Sequence, residues 1–113
     1  MKTIINGGVY RVDFIGSHPC EFTGPHPTLV IRTLRESDMY IAVPLTSYTP
    51  YRWERCRKKG FGTRILSSNS IARIDKFKIV HKNDINNRWK TKTPSKNIQL
   101  TSSELDKVIQ KLN

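Results

Sequence analysis

His26 stands between Pro25 and Pro27 in the stretch Glu21-Phe22-Thr23-Gly24-Pro25-His26-Pro27, just before the β-branched apolar run Thr28 to Ile31. Two prolines and a glycine fix backbone angles and interrupt a regular ladder. They predict a stiff loop that carries an imidazole to the mouth of a buried strand. With a reference pKa of about 6.5, that imidazole can take up or release a proton near neutral pH. A rigid support is where such a side chain serves chemistry best, although the same residues are also ordinary turn chemistry. A second group follows between Ser47 and Gly60, where Tyr48, Tyr51 and Trp53 are interspersed with Arg52, Arg55, Arg57, Lys58 and Lys59. Stacking rings beside phosphate-seeking cations are the pattern for single-stranded nucleic acid. This segment reads as a loop, with Trp53 or Tyr51 packed on the core.

Charge points the same way. The 113 residues carry 20 Lys and Arg against 9 Asp and Glu, a net +11. Between Arg52 and Lys96 there are 14 basic and three acidic residues, and the rest of the chain holds six of each sign. The excess therefore lies in one contiguous block, which predicts a polyanionic partner, nucleic acid before membrane. No apolar run approaches the roughly 20 residues that span a bilayer, and Met1 to Gly8 lacks the apolar region of a signal peptide. One cytoplasmic domain over residues 1–113 is expected. Cys20 and Cys56 show no Cys-x-x-Cys or mixed Cys/His zinc spacing, and read as free thiols with no metal centre.

The elements that must position these groups are mostly strands. Val9 to Phe14 alternates, with Tyr10, Val12 and Phe14 on one face and Arg11 and Asp13 on the other. Thr28 to Thr33 and Met39 to Leu45 read as the next two strands, and Pro44 confines the end of the latter to an edge or bulge. Phe61 to Leu66, Asn69 to Ile74 and Lys76 to His81 read as further short strands. Asn83 to Asn97 is polar and basic and reads as a mobile linker, with Trp89 as its anchor. Thr101-Ser102-Ser103-Glu104 is a capping box, and Leu105, Val108, Ile109 and Leu112 follow at helical spacing. The sum is a mostly β fold, a small antiparallel β-barrel or curled sheet closed by a C-terminal α-helix.

Five segments in order resemble the MazF/PemK/Kid toxins. Gly8-Val9-Tyr10-Arg11-Val12-Asp13-Phe14 is similar to the family's opening strand, Gly-Asp-hydrophobic-x-Val-Asp-Phe. Gly24-Pro25-His26-Pro27 stands where the family has Gly-x-Arg-Pro. Val43-Pro44-Leu45-Thr46-Ser47 is similar to its Val-Pro-hydrophobic-Thr-Ser/Thr, and Ser68 to Asp75 to its Asp-Gln-x-x-x-Ile-Asp segment. Ile98-Gln99-Leu100 with the capped helix resembles its closing helix. The departures fall on the chemistry: His26 replaces the loop arginine, Asn69-Ser70 the Asp-Gln pair, and Phe22 the glutamine of Glu-Gln.

The resemblance implies an SH3-like barrel, a homodimer, an antitoxin partner (an acidic protein ahead of an RNA), no cofactor, and metal-independent, sequence-selective cleavage of single-stranded RNA. Such cleavage uses the neighbouring 2′-OH as nucleophile, and leaves a 2′,3′-cyclic phosphate and a 5′-OH. The protein must accept a proton, stabilise charge on phosphorus and protonate the leaving oxygen. His26 is the expected general acid or base. Thr46 and Ser47 would donate to the scissile phosphate, and Arg73 or an arginine of the 52–57 segment would supply permanent charge. Glu21 is either a base or a cap for its own loop. Arg52, Arg55, Arg57, Lys58 and Lys59 are the expected RNA-binding cations, with Arg73. Other readings on the same fold are a CcdB-like inhibitor, a non-catalytic RNA-binding module, or a ToxN-like nuclease restrained by an RNA antitoxin.

Overall fold

The central strand of the sheet changes partners at Pro44, and the candidate functional surface is built around that change. A computed structural model describes residues 3–14, 24–33, 38–60, 62–90 and 96–112. The strands are β1 (Val9–Phe14), β2 (Gly24–Arg32), β3 (Met39–Ser47), β4 (Gly62–Ile65), β5 (Ser70–Arg73), β6 (Lys78–His81) and β7 (Ile85–Arg88). They form one sheet in the order β4-β5-β3-β2-β1-β7, with β6 also paired to β3. Every pairing is antiparallel. Helix α1 (Pro50–Lys59) follows β3, and α2 (Ser102–Leu112) ends the chain. Among the described residues β4 and β7 do not pair with each other, so the sheet curls like a barrel without closing. This is the mostly β architecture with a C-terminal helix that the sequence predicts.

Strand alternation divides the core between two faces. Val9, Leu29, Val43 and Leu45 point to one, where the α2 stripe Leu105, Val108, Ile109 and Leu112 covers them. Tyr10, Val12, Val30 and Ala42 point to the other. The capping box forms as its sequence predicts: Thr101 Oγ1 accepts from Glu104 N at 3.2 Å, and Glu104 Oε1 accepts from Thr101 N at 3.0 Å.

The prolines do not break the ladder where the sequence suggested. Gly24 to Pro27 is not a loop but the first part of β2, with His26 opposite Val12 and Pro27 opposite Arg11. Val30 exchanges backbone hydrogen bonds with Gly7 and Gly8 on the β1 side. Even-numbered residues of β2 therefore direct their N–H toward β1, and odd-numbered ones toward β3. The N–H groups that Pro25 and Pro27 lack would have pointed toward β3. That strand has already left: its ladder with β2 runs only from Arg32↔Tyr40 to Thr28↔Pro44. Pro44 follows the same logic, because β3 pairs with β6 through Ala42 and with β5 from Leu45 onward. Its missing donor falls in the gap between two partners, so a fully buried proline sits in a central strand rather than at an edge.

Two further segments differ from expectation. Ser47 to Gly60 is not a loop: residues 50–59 form α1. Thr49 accepts from Arg52 N at 3.1 Å as N-cap, Pro50 occupies the first turn, and Gly60 ends the helix at φ 73° with its N–H on Arg57 O. These are end signals. The helix lacks an apolar stripe, Cys56 being its one buried residue, so hydrophobic periodicity could not show it. Nor is the described part of the expected linker, residues 83–90, without structure, since β7 pairs with β1, Ile85 is fully buried, and Trp89 N donates to Val9 O at 2.9 Å.

Candidate nucleic-acid interface

Beyond Thr28↔Pro44, β2 continues along β1 while β3 turns to β5, and the two strands part like a fork. His26 lies two residues past the last shared rung on one prong, and Thr46 two residues past it on the other. Two pockets meet at this fork, and Thr46 lines both.

The first pocket, of about 290 Å³, lies between Thr46 and α1. Arg52, Arg55, Cys56 and Lys59 line it from the helix and Arg73 from β5. Their spacing places these four helical positions on one side, and Arg52 is tied back to the strand by Nη1 donating to Ser47 O at 3.1 Å. The guanidinium of Arg55 lies 5.7 Å from the centre of the Tyr51 ring, which is 72% exposed; Tyr51 is therefore not a core residue, while Trp53 is half-buried. Among the described residues neither Arg52 nor Arg55 has an acidic partner. Arg57 and Lys58 face Glu54 instead, at 2.8 and 3.8 Å. The Arg57 hydrogen bond, ahead of the attraction of both cations, holds the Glu54 carboxyl below its ordinary value. Arg73 is paired with Asp75 at 2.9 Å.

The second pocket, of about 140 Å³, fills the fork itself. Pro27, Leu45, Trp89 and Ile98 supply apolar walls, and Thr46, Ser47 and Asn69 polar ones. Ser68 and Ser70 complete it, their hydroxyls 2.5 Å apart. Among the described residues the Thr46 and Ser47 hydroxyls have no hydrogen-bond partner in the protein. The half-buried His26 lines neither pocket: regular alternation puts its side chain on the opposite face of β2 from Pro27. Glu21 lies outside the described residues, as does Cys20, whereas Cys56 is a buried free thiol.

A clamp that sequence reading missed closes the far side of the fork. Arg64 stacks on Tyr48 at 3.8 Å from the ring centre, donates from Nη1 to the carbonyls of Ile65 and Ser70 at 3.1 Å each, and from Nη2 to Asn69 Oδ1 at 2.7 Å. Asn69 adopts a left-handed backbone, φ 49°, and its carbonyl accepts from Tyr48 N at 3.1 Å. The only available signal was asparagine's tolerance of that conformation.

No protein-family model matches this chain, and no curated protein does. Among solved structures 13 chains match. One belongs to the crystal structure of the MazE–MazF complex (Form-II) from Deinococcus radiodurans, with a TM-score of 0.60 over 98% of this chain and 94% of that one, at 15% identity. At that identity the likeness speaks for architecture alone. With the strand order and the capped closing helix, it shows that this chain has a MazF-like fold.

Proposed function

We propose that the chain is the toxin of a toxin–antitoxin pair and works as a metal-independent, sequence-selective endoribonuclease on single-stranded RNA. In this reading it is a cytoplasmic homodimer restrained by an acidic protein antitoxin. The observation that carries the proposal is the position of Thr46, a wall common to a cation-lined pocket and a half-apolar pocket at a strand fork. A phosphate beside Thr46 would meet Arg52, Arg55 and Lys59 on one side and the Ser47 hydroxyl on the other. Fixed cations and hydroxyl donors aimed at one point stabilise the charge that builds on phosphorus. The 2′-OH loses a proton as its oxygen bonds to phosphorus. The bond to the 5′-oxygen then breaks, and that oxygen gains a proton. His26, on the other prong of the fork but lining neither pocket, is the candidate for one of these transfers by its chemistry rather than by its position. Because Arg73 is engaged by Asp75, Arg52 and Arg55 are better placed to supply permanent charge. Glu21 remains a candidate base.

The test is incubation of the purified protein with mixed single-stranded RNA in EDTA, beside His26→Ala and Thr46→Val. Cleavage with cyclic-phosphate ends is expected, lost in both variants. No cleavage of any RNA by the unaltered protein would end the enzyme reading, and undiminished cleavage by His26→Ala would remove only the role of the histidine.

A further inference from the structure

The second pocket has a composition that phosphate binding does not require. One side is apolar, made by Leu45, Ile98 and the half-buried Trp89, and the other carries Ser47 and Asn69. At about 140 Å³ it is far smaller than the roughly 300–1,000 Å³ of a drug-sized site. An indole beside amide and hydroxyl groups is how proteins hold a splayed-out base, by stacking on its face and hydrogen bonding along its edge. Resting on the nuclease reading above, we propose that this pocket is a pyrimidine subsite, seating one base while its phosphate lies across Thr46 in the cationic pocket.

The orientation of the Asn69 amide gives the subsite its chemistry. Arg64 Nη2 donates to Asn69 Oδ1 at 2.7 Å, which fixes which end of the amide is oxygen. The remaining Nδ2 group is a donor only. With the Ser47 hydroxyl, it presents donors to a base edge that offers acceptors. Both pyrimidines carry the O2 carbonyl. A purine's second ring would take up more of this pocket of about 140 Å³ than a pyrimidine does, so the smaller base is the better match. Arg64 is thus a positioning residue: it holds Asn69 through its side chain and the Ser70 carbonyl of the same turn, and stacks on Tyr48 beyond Ser47.

Trp89 serves as the reporter once Trp53, the other of two tryptophans, is changed to Phe. Uridine and cytidine monophosphates should quench its fluorescence saturably, and adenosine and guanosine monophosphates at least about tenfold more weakly. Inorganic phosphate should leave the fluorescence unchanged. Asn69→Gly keeps the left-handed backbone while deleting the amide, so the fold is preserved and the pyrimidine preference should fall roughly tenfold. Arg64→Lys should weaken that preference without changing the salt dependence of RNA binding, which a merely structural lesion would not separate. Equal quenching by purines, or an Asn69→Gly variant that keeps its preference, overturns the subsite. So does absent quenching in a protein that still binds and cleaves RNA, an outcome that leaves the nuclease reading intact. Loss of RNA cleavage in the unaltered protein, with pyrimidine quenching retained, would instead sink the nuclease reading alone.

Discussion

Arg73 and Asp75 are joined by two hydrogen bonds, Nε to Oδ1 at 3.0 Å and Nη2 to Oδ2 at 2.9 Å, at the rim of the cationic pocket. This is a bidentate, charge-assisted pair. The Asp75 hydrogen bond raises the Arg73 pKa above its ordinary value, against the opposing effect of partial burial. The pocket thus carries its own countercharge. Asp75→Asn removes that carboxylate and should tighten RNA binding. It should also steepen the dependence of log Kd on log salt by about 0.7, one more phosphate neutralised on a single strand. Filter binding at several salt concentrations measures it; an unchanged slope would mean that Arg73 does not meet the RNA.

The cations of α1 fall into two sets, with opposite expectations. Arg52, Arg55 and Lys59 line the pocket, while Arg57 and Lys58 face Glu54. Exposed pairs of the second kind contribute little to stability, and here their charge is partly compensated. The double variant Arg55→Gln/Lys59→Gln should flatten the salt slope by about 1.4. Arg57→Gln/Lys58→Gln should change it by less than half as much. Equal effects from both would show that RNA follows the diffuse basic surface rather than the pocket.

How much of this was legible follows from which signals the chain carries. Burial by strand alternation could be read along Val9 to Val12, and the Thr101–Glu104 capping box along α2, because both signals are local. The strand containing His26 could not. Pro25 and Pro27 look like ladder breakers until the departure of β3 leaves their side of β2 without a partner, and that is a long-range fact. Helix α1 was marked only by Thr49, Pro50 and Gly60, since a helix that buries little but Cys56 needs no apolar stripe. Thr46 and the α1 cations were recognisable by type. That Arg57 and Lys58 pair with Glu54, and that Arg64 orients Asn69, required coordinates.

Gly62 opens β4 directly beneath α1, and a Cβ there would lie 2.7 Å from Cys56 Cβ and 3.1 Å from Ile71 Cγ2. Neither neighbour can yield easily, because one is anchored to the helix backbone and the other is fully buried. Gly62→Ala should therefore destabilise the fold by about 1–3 kcal/mol, the range for overpacking a filled interior. Gly60→Ala offers a contrast: its Cβ would meet nothing within 4 Å, and only its φ of 73° is unfavourable, so the cost should be about 1 kcal/mol. Urea denaturation of the two variants separates steric from conformational cost. A smaller loss for Gly62→Ala than for Gly60→Ala would contradict the packing of α1 on β4.

Glu104 links the closing helix to the turn that frames the fork. Besides capping its own helix through Thr101 N, its Oε2 accepts from Leu66 N at 3.0 Å and Ser67 N at 3.2 Å, next to Ser68 and Asn69 of the second pocket. Burial works against its charge, but the backbone donors of Thr101 and Ser67 outweigh it and hold the carboxyl below its ordinary value. A depressed carboxyl stabilises the fold above the unfolded-state pKa of about 4.3, and the contribution fades as pH falls through the lower folded-state value. Glu104→Gln keeps one acceptor oxygen and loses the charge. At neutral pH it should cost about 1 kcal/mol, the scale of charged hydrogen bonds discounted for exposure. The gap to the unaltered protein should narrow as the pH drops below about 4. Because the turn it holds includes Asn69, the variant should also widen the accepted range of RNA sequences at neutral pH. A stability gap that stays constant down to acid pH would assign the contribution of Glu104 to shape rather than to charge.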